Sequence, residues 1–312
     1  MRFLAIVLIV FHHSTTVFWC WPPSVVTSMG LPQPIMALSN VAKLYGLGIF
    51  TYISGFLLAR SKAEILSLPF IWHKFKKIML PCIIAAIIYR LFFMEYACGD
   101  AINGTHLWYL PMIFIFYLLL PIIRFKNPLK MMICASLFYV ICFFLHKLTL
   151  FRTFGECTNY IGYFMAGTLS FRFLTNKQLN LNAIAIIILL IFTFSWRNLT
   201  GAIGTTVCIF GIYSILRNFH TSSVLFHTKI AITLKKMVFL ISEKSFHIYI
   251  IHQFVINLLL MFIPMDIPRF RPILFLLCFT FSIAFPLIFS FMYDYIRRGL
   301  SSISTSLRKR IF

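Results

Sequence analysis

Acidic residues are scarce: aspartate and glutamate together number 7 in 312 residues, against 28 lysines and arginines. Glu64, Glu95, Asp100, Glu156, Glu243, Asp266 and Asp294 are scattered, so chemistry that needs two facing carboxylates has few places to sit. Long polar stretches are missing too. Apolar segments follow one another from residue 2 to residue 296, which leaves no room for a separate extramembrane domain. The 8 cysteines form no CxxC pair and no metal-ligand spacing, so no metal site is expected. Most lie in apolar runs, where a thiol serves as a small hydrophobe. Cys98 and Cys157 are the two that could meet and pair on an outer, oxidising side.

What is present is apolar surface. Hydrophobic residues make up 61% of the chain and aromatics 18%, with 37 phenylalanines and only 11% charged residues. A water-soluble domain has too little interior to hide so much, whereas lipid can cover it. The net charge of +21 does not point to nucleic acid, because the basic residues sit in short clusters between apolar runs, as orientation signals do.

A span takes about 20 mostly apolar residues. The candidates are 2–21, 41–59, 78–94, 107–123, 130–146, 158–174, 182–196, 202–216, 246–263 and 272–296. The expected fold is therefore all-α: a single polytopic bundle of about ten helices spanning 1–312, with a short basic tail at 297–312. Residues 230–241 are apolar but too short, and Lys235 and Lys236 interrupt them, so they read as an amphipathic lead-in to the ninth helix. The opening MRFLAIVLIVF imitates a signal peptide, but no small-x-small cleavage site follows, so it reads as the first span, retained. Nineteen lysines and arginines fall in loops on one side and in the tail; only Lys147, Arg152, Arg197, Arg269 and Arg271 fall on the other. The positive-inside rule then puts both termini in the cytoplasm.

Polar residues inside spans are costly and mark either function or a buried pair. Arg2 and His13 are eleven residues apart, which places them on nearly the same helical face and about 16 Å apart along the axis. His12 points about 100° away. Either Arg2 anchors the helix at the headgroups and His13 bonds a neighbouring helix, or both face one cavity. Ser54-Gly55 allows close helix packing. Trp72 to Pro81 forms a basic inner loop in which Lys74 and Lys77, three apart, share a helical face; they suit a polyanion or a topology signal. His106 precedes Trp108 and Tyr109, ordinary residues of an interfacial aromatic belt. Glu243 and His247 are four apart on one helical face, Tyr249 and His252 three apart.

Taken in order, these elements resemble the acyltransferase-3 family of membrane O-acyltransferases. Arg2 and His13 match its Arg-x10-His motif, and Ser54-Gly-Phe-Leu-Leu58 its Ser-Gly-Phe/Tyr-Leu stretch. His106-Leu-Trp-Tyr-Leu110 matches its His-Leu-Trp segment, and Ser245-Phe-His-Ile-Tyr-Ile-Ile-His252 its C-terminal Tyr-x-x-His segment. Lys74 and Lys77 stand where the family often carries an Arg-x-x-Arg pair, keeping the charge but giving up the bidentate fork.

The resemblance implies transfer of an acyl group, usually acetyl, from cytoplasmic acyl-CoA to a hydroxyl of a surface polysaccharide or lipid-linked glycan. The protein would be a multi-pass protein of a bacterial inner (plasma) membrane. It implies acetyl-CoA or another acyl-CoA as donor substrate and no bound cofactor. In this reading His13 is general base or acyl relay, and Arg2 a clamp on the donor or on its thioester oxygen. Lys74, Lys77 and Arg60 hold phosphates, while Ser54, His106, Trp108, Tyr249 and His252 serve the acceptor or a relay. A transporter or flippase of a glycan precursor is the alternative, since buried histidines also suit proton-coupled transport. The hydropathy shows no inverted repeat in its favour. A non-catalytic assembly subunit is the third reading.

Overall fold

The computed structural model describes residues 1–16, 33–60, 67–93, 106–118, 128–149, 152–175, 229–262 and 271–311. Among them every regular element is helical. The helices are α1 (Arg2–Thr16), α2 (Gln33–Arg60), α3 (Leu68–Lys74), α4 (Leu80–Phe92), α5 (Tyr109–Leu118), α6 (Pro128–Thr149), α7 (Arg152–Thr175), α8 (Lys229–Glu243), α9 (Ser245–Phe262) and α10 (Arg271–Ile311). A π-helical turn, Phe75–Met79, joins α3 to α4, and a 3₁₀ turn, His106–Trp108, opens α5. Three stretches are long and apolar enough to cross a membrane: Ala37–Arg60, Ser245–Phe262 and Pro272–Ile296. Arg2–Thr16, His106–Leu118 and Ile133–Thr149 are shorter apolar helices. The spans expected at 182–196 and 202–216 lie outside the described residues.

Two boundaries differ from the sequence reading. The helix expected to start at residue 78 begins ten residues earlier, at Leu68. Pro81 lacks an N–H to give back to Lys77. The chain accommodates this with the wider turn just before it, where the Leu80 N–H bonds the Phe75 carbonyl. The tail after 296 is not a separate segment either: α10 continues through it to Ile311. The lead-in at 230–241 does form a helix, α8. It passes into α9 at Lys244, whose N–H still bonds the Leu240 carbonyl at 3.0 Å. Glu243 thus ends α8 while His247 lies in α9. The pair does not share one continuous helical face, and His247 instead lies beside Tyr293 of α10.

α1 is the central element, packing on α2, α8, α9 and α10. The reason lies in its sequence: Ala5, Ile6, Ile9, Val10, His12, Ser14, Thr15 and Thr16 are all buried. A helix with this many polar groups in its last turn must satisfy them inside protein rather than in hydrocarbon. α9 obeys the same rule, burying Ser245, Tyr249, His252, Gln253 and Asn257. The Ser282 hydroxyl of α10 donates to the His252 carbonyl at 3.1 Å. Near the other end of α9, Lys244 pairs with Asp294 of α10 at 2.5 Å. These two contacts fix the register of α9 against α10.

α2 and α7 cross most closely. A Cβ on Gly55 would lie 2.0 Å from the Phe164 carbonyl oxygen, and one on Gly167 would lie 1.9 Å from that of Tyr52. Backbone meets backbone at both points, which only glycine permits, as the Ser54-Gly55 pair suggested. Thr168 adds a side-chain bond to the Gly55 carbonyl at 3.4 Å. Cys157 of α7 packs against Cys142 of α6, both buried as free thiols, whereas Cys98 lies outside the described residues. The glycine crossing predicts that Gly55→Ala or Gly167→Ala forces α2 and α7 apart. Overpacking of this kind costs about 1–3 kcal/mol, so the purified variants should melt several degrees lower in detergent. Wild-type melting temperatures in both would mean that the helices do not meet at these glycines.

Candidate functional site

Three histidines from distant parts of the chain meet at one place. The His13 ring centroid lies 4.9 Å from that of His252 and 5.9 Å from that of His106, and the last two are 4.7 Å apart. α1, the 3₁₀ turn and α9 supply one imidazole each. His106 and His252 are buried, and His13 is partly so.

The hydrogen bonds define which nitrogens are available. His252 Nδ1 donates to the carbonyls of Tyr249 at 2.7 Å and Ile248 at 3.1 Å. Its lone pair is therefore on Nε2, which is buried without a partner among the described residues. The His106 ring lies near the backbone of Tyr249 and Ile250, yet neither of its nitrogens reaches hydrogen-bond geometry with a described group. Buried polar atoms left open in this way are uncommon. Tyr249 gives its hydroxyl to the His106 carbonyl, which holds the 3₁₀ turn against α9. His13 Nδ1 lies 2.8 Å from Gln253 Oε1. Among the described residues no group of three or more His, Cys, Asp or Glu side chains is placed to hold a metal ion.

His12 has a different task. Its Nδ1 bonds the Ser39 carbonyl at 3.1 Å and the Ser39 hydroxyl at 2.9 Å. Thr15 joins the same group, so His12 ties α1 to α2. The two adjacent histidines point into different surroundings, as the helical angle between them requires.

A line of hydroxyls leads from the histidines toward the opposite end of the bundle. The Tyr109 ring packs 5.4 Å from that of Tyr249, and its hydroxyl accepts from Thr51 at 3.3 Å. Ser54 is within hydrogen-bonding reach of both Tyr109 and Tyr117. The Lys74 ammonium sits 4.1 Å over the Tyr117 ring, and Arg2 is close enough to act electrostatically on Tyr117. Burial, with Lys77 adding repulsion, holds the Lys74 ammonium below its ordinary lysine value.

Sequence reasoning foresaw Arg2, His13, Ser54, His106, Tyr249 and His252, and these lie along this one line. Lys77 and Arg60 are exposed. Lys74 is half-buried, a π turn begins directly after it, and the exposed Lys77 stays near enough to act on the Lys74 ammonium. Trp108 and Tyr109 are not belt residues. Both are buried, and the Arg152 guanidinium covers the Trp108 ring at 5.0 Å. Arg152, counted in the sequence as a loop charge, also lies near enough to act on His13. Gln253, Asn257, Tyr109 and Tyr117 were missed. The spacing Tyr249, Gln253, Asn257 puts three polar groups on one stripe of α9 and is the signal that could have found two of them.

A family profile described as an acyltransferase domain, that of acyltransferase-3, matches residues 1–291. The chain belongs to the acyltransferase-3 family. No curated protein and no solved structure matches it. The match covers α1 through α9 and the apolar part of α10, so all the groups just described fall within the acyltransferase domain. Family membership and the apolar helices together make this a membrane acyltransferase.

Proposed function

We propose that the chain moves an acyl group, acetyl in the simplest case, from acyl-CoA on the cytoplasmic side to a glycan hydroxyl. The acceptor is a surface polysaccharide or lipid-linked sugar, and the membrane is a bacterial inner membrane crossed by about ten helices with both termini inside. One observation carries the reading: three clustered imidazoles, His13, His106 and His252, the last two with open nitrogens, are joined by a hydroxyl-lined path to the basic groups Arg2 and Lys74.

The chemistry follows from that arrangement. Arg2 and Lys74 take the anionic phosphates of the donor, with Lys77 and Arg60 as outlying charges. Because Arg2 is about 16 Å from His13 along α1, it holds the donor's phosphate end and not its thioester oxygen. The narrow acyl-bearing arm then lies along Ser54, Tyr109 and Tyr117 with its carbonyl near His13. His13 Nε2 takes the proton of the acceptor hydroxyl as its oxygen bonds to the thioester carbon. The tetrahedral species collapses, the carbon–sulfur bond breaks, and the proton passes to the leaving thiolate. His106 and His252 border the acceptor, with Trp108 and Tyr249 shaping their surroundings. A transporter reading lacks an observation of its own.

His13→Ala should insert normally and lose about 10²–10⁴-fold in transfer rate, as removal of a general base does. His12→Ala should instead lower membrane abundance by loosening α1 from α2, with transfer per inserted molecule retained. Equal per-molecule losses in the two variants would reduce His13 to a packing residue. For the donor, Lys74→Ala should raise the apparent KM for acyl-CoA roughly tenfold, the scale of one charge-assisted contact, with Lys77→Ala milder. The lowered Lys74 value gives a sign as well: its charge is lost earlier on raising pH. Wild-type KM should therefore climb as pH is raised, starting below the range of an ordinary lysine, and this climb should vanish in Lys74→Ala. An unchanged KM in Lys74→Ala would make the lysine a topology signal only.

A further inference from the structure

We infer that Gln253 is a positioning residue that fixes which nitrogen of His13 does the work, with Asn257 fixing Gln253 in turn. The inference rests on His13 acting as the base. Gln253 and Asn257 are 2% and 4% exposed, too buried for water to satisfy their amides freely. Gln253 Nε2 donates to Asn257 Oδ1 at 3.0 Å. That commits its other amide atom, Oε1, to His13 Nδ1 at 2.8 Å. An amide oxygen only accepts, so His13 Nδ1 must carry the proton, and the lone pair is left on Nε2. His252 is set the same way by backbone carbonyls. The site thus holds two imidazoles in one tautomer by two different devices, and the device for His13 is a pair of side chains one helical turn apart on α9.

This arrangement makes the conservative variant informative. A glutamate at 253 can still accept from His13 Nδ1–H, although it can no longer donate to Asn257. A leucine fills similar space and does neither. Had His13 Nδ1 been the acceptor, glutamate would be as damaging as leucine. The groups around His13 that also bear on its protonation are His12 on its own helix, Lys43 on α2, His106, Arg152 at the start of α7 and His252 on α9. α10 meets this part of α1 through Phe275 and Phe279 beside Phe11, which carry no charge.

The experiment measures pH–rate profiles of acyl transfer for wild type, Gln253→Leu, Gln253→Glu and His13→Ala, per molecule of membrane-inserted protein and over acyl-CoA concentrations up to saturation. Gln253→Leu should lose roughly 3- to 10-fold in kcat, the scale of one neutral hydrogen bond, with KM for acyl-CoA unchanged. Gln253→Glu should recover most of that rate, and its acidic limb should move to higher pH because a carboxylate favours the imidazolium. A Gln253→Leu variant with wild-type kcat, equal losses in both variants, or a Gln253→Glu profile with an unmoved acidic limb would each overturn the inference. If Gln253→Leu does not insert, the Gln253→Glu limb alone decides. Full activity in His13→Ala would instead remove the underlying base assignment, and so is told apart from a failure at Gln253.

Discussion

In hydrocarbon a polar side chain has to find its partner inside the protein, and this constraint governs how the bundle is put together. α1 ends in His12, His13, Ser14, Thr15 and Thr16, and α9 carries Ser245, Tyr249, His252, Gln253 and Asn257. Neither stripe can face lipid. Each helix turns its polar side inward, and the two meet at the His13–Gln253 bond. The remaining contacts hold that meeting in register: Ser39 secures α1 through His12, Ser282 and Asp294 secure α9, and the glycine crossing draws α7 against α2. Three residues scattered over most of the chain, His13, His106 and His252, become neighbours as a result.

The same constraint makes open polar atoms in the interior notable. Most buried polar groups here are satisfied, His12 among them. His252 Nε2 and both nitrogens of His106 are not, nor are Ser14 Oγ, Tyr89 Oη, His247 Nδ1 and Ser290 Oγ. Burial of an unpartnered donor or acceptor costs stability, and a fold that can satisfy His12 so fully has the means to satisfy these as well. Open imidazole nitrogens are what a hydroxyl substrate can use, because its oxygen can accept from an N–H while its proton passes to a lone pair. Under the proposed function, donor and acceptor approach the cluster from opposite sides of the bilayer, the donor past Arg2 and Lys74, the acceptor past Arg152 and Trp108. A soluble active site has no need of this arrangement.

Helical geometry made part of this legible in advance. A rotation of about 100° per residue separates His12 from His13, and the two do serve different ends. Gly55 announced a close helix crossing. The Arg-x10-His spacing put Arg2 and His13 toward opposite ends of one helix, and α1 carries them so. What was not legible depends on local departures or on tertiary partners. A π turn before Pro81 begins directly after Lys74, and no periodicity argument that assumes a regular helix foresees it. Trp108 reads as a belt residue until Arg152, more than forty positions later in the chain, is seen to cover it. Gln253 carries no charge and sits beside a histidine that draws the eye, so its part in the network shows only through its distances to His13 and Asn257. The convergence of His106 with His13 and His252 is long-range, and no spacing encodes it.

The central claim is covalent: an acyl group changes partners at the imidazole cluster. Purified protein reconstituted in liposomes with acetyl-CoA labelled on the acetyl carbon, and with an acceptor glycan, tests it directly. The account predicts label bound to the glycan as an alkali-labile ester, with one CoA thiol released for each acetyl transferred. Passage of the glycan across the bilayer with no bound label and no released thiol would contradict it.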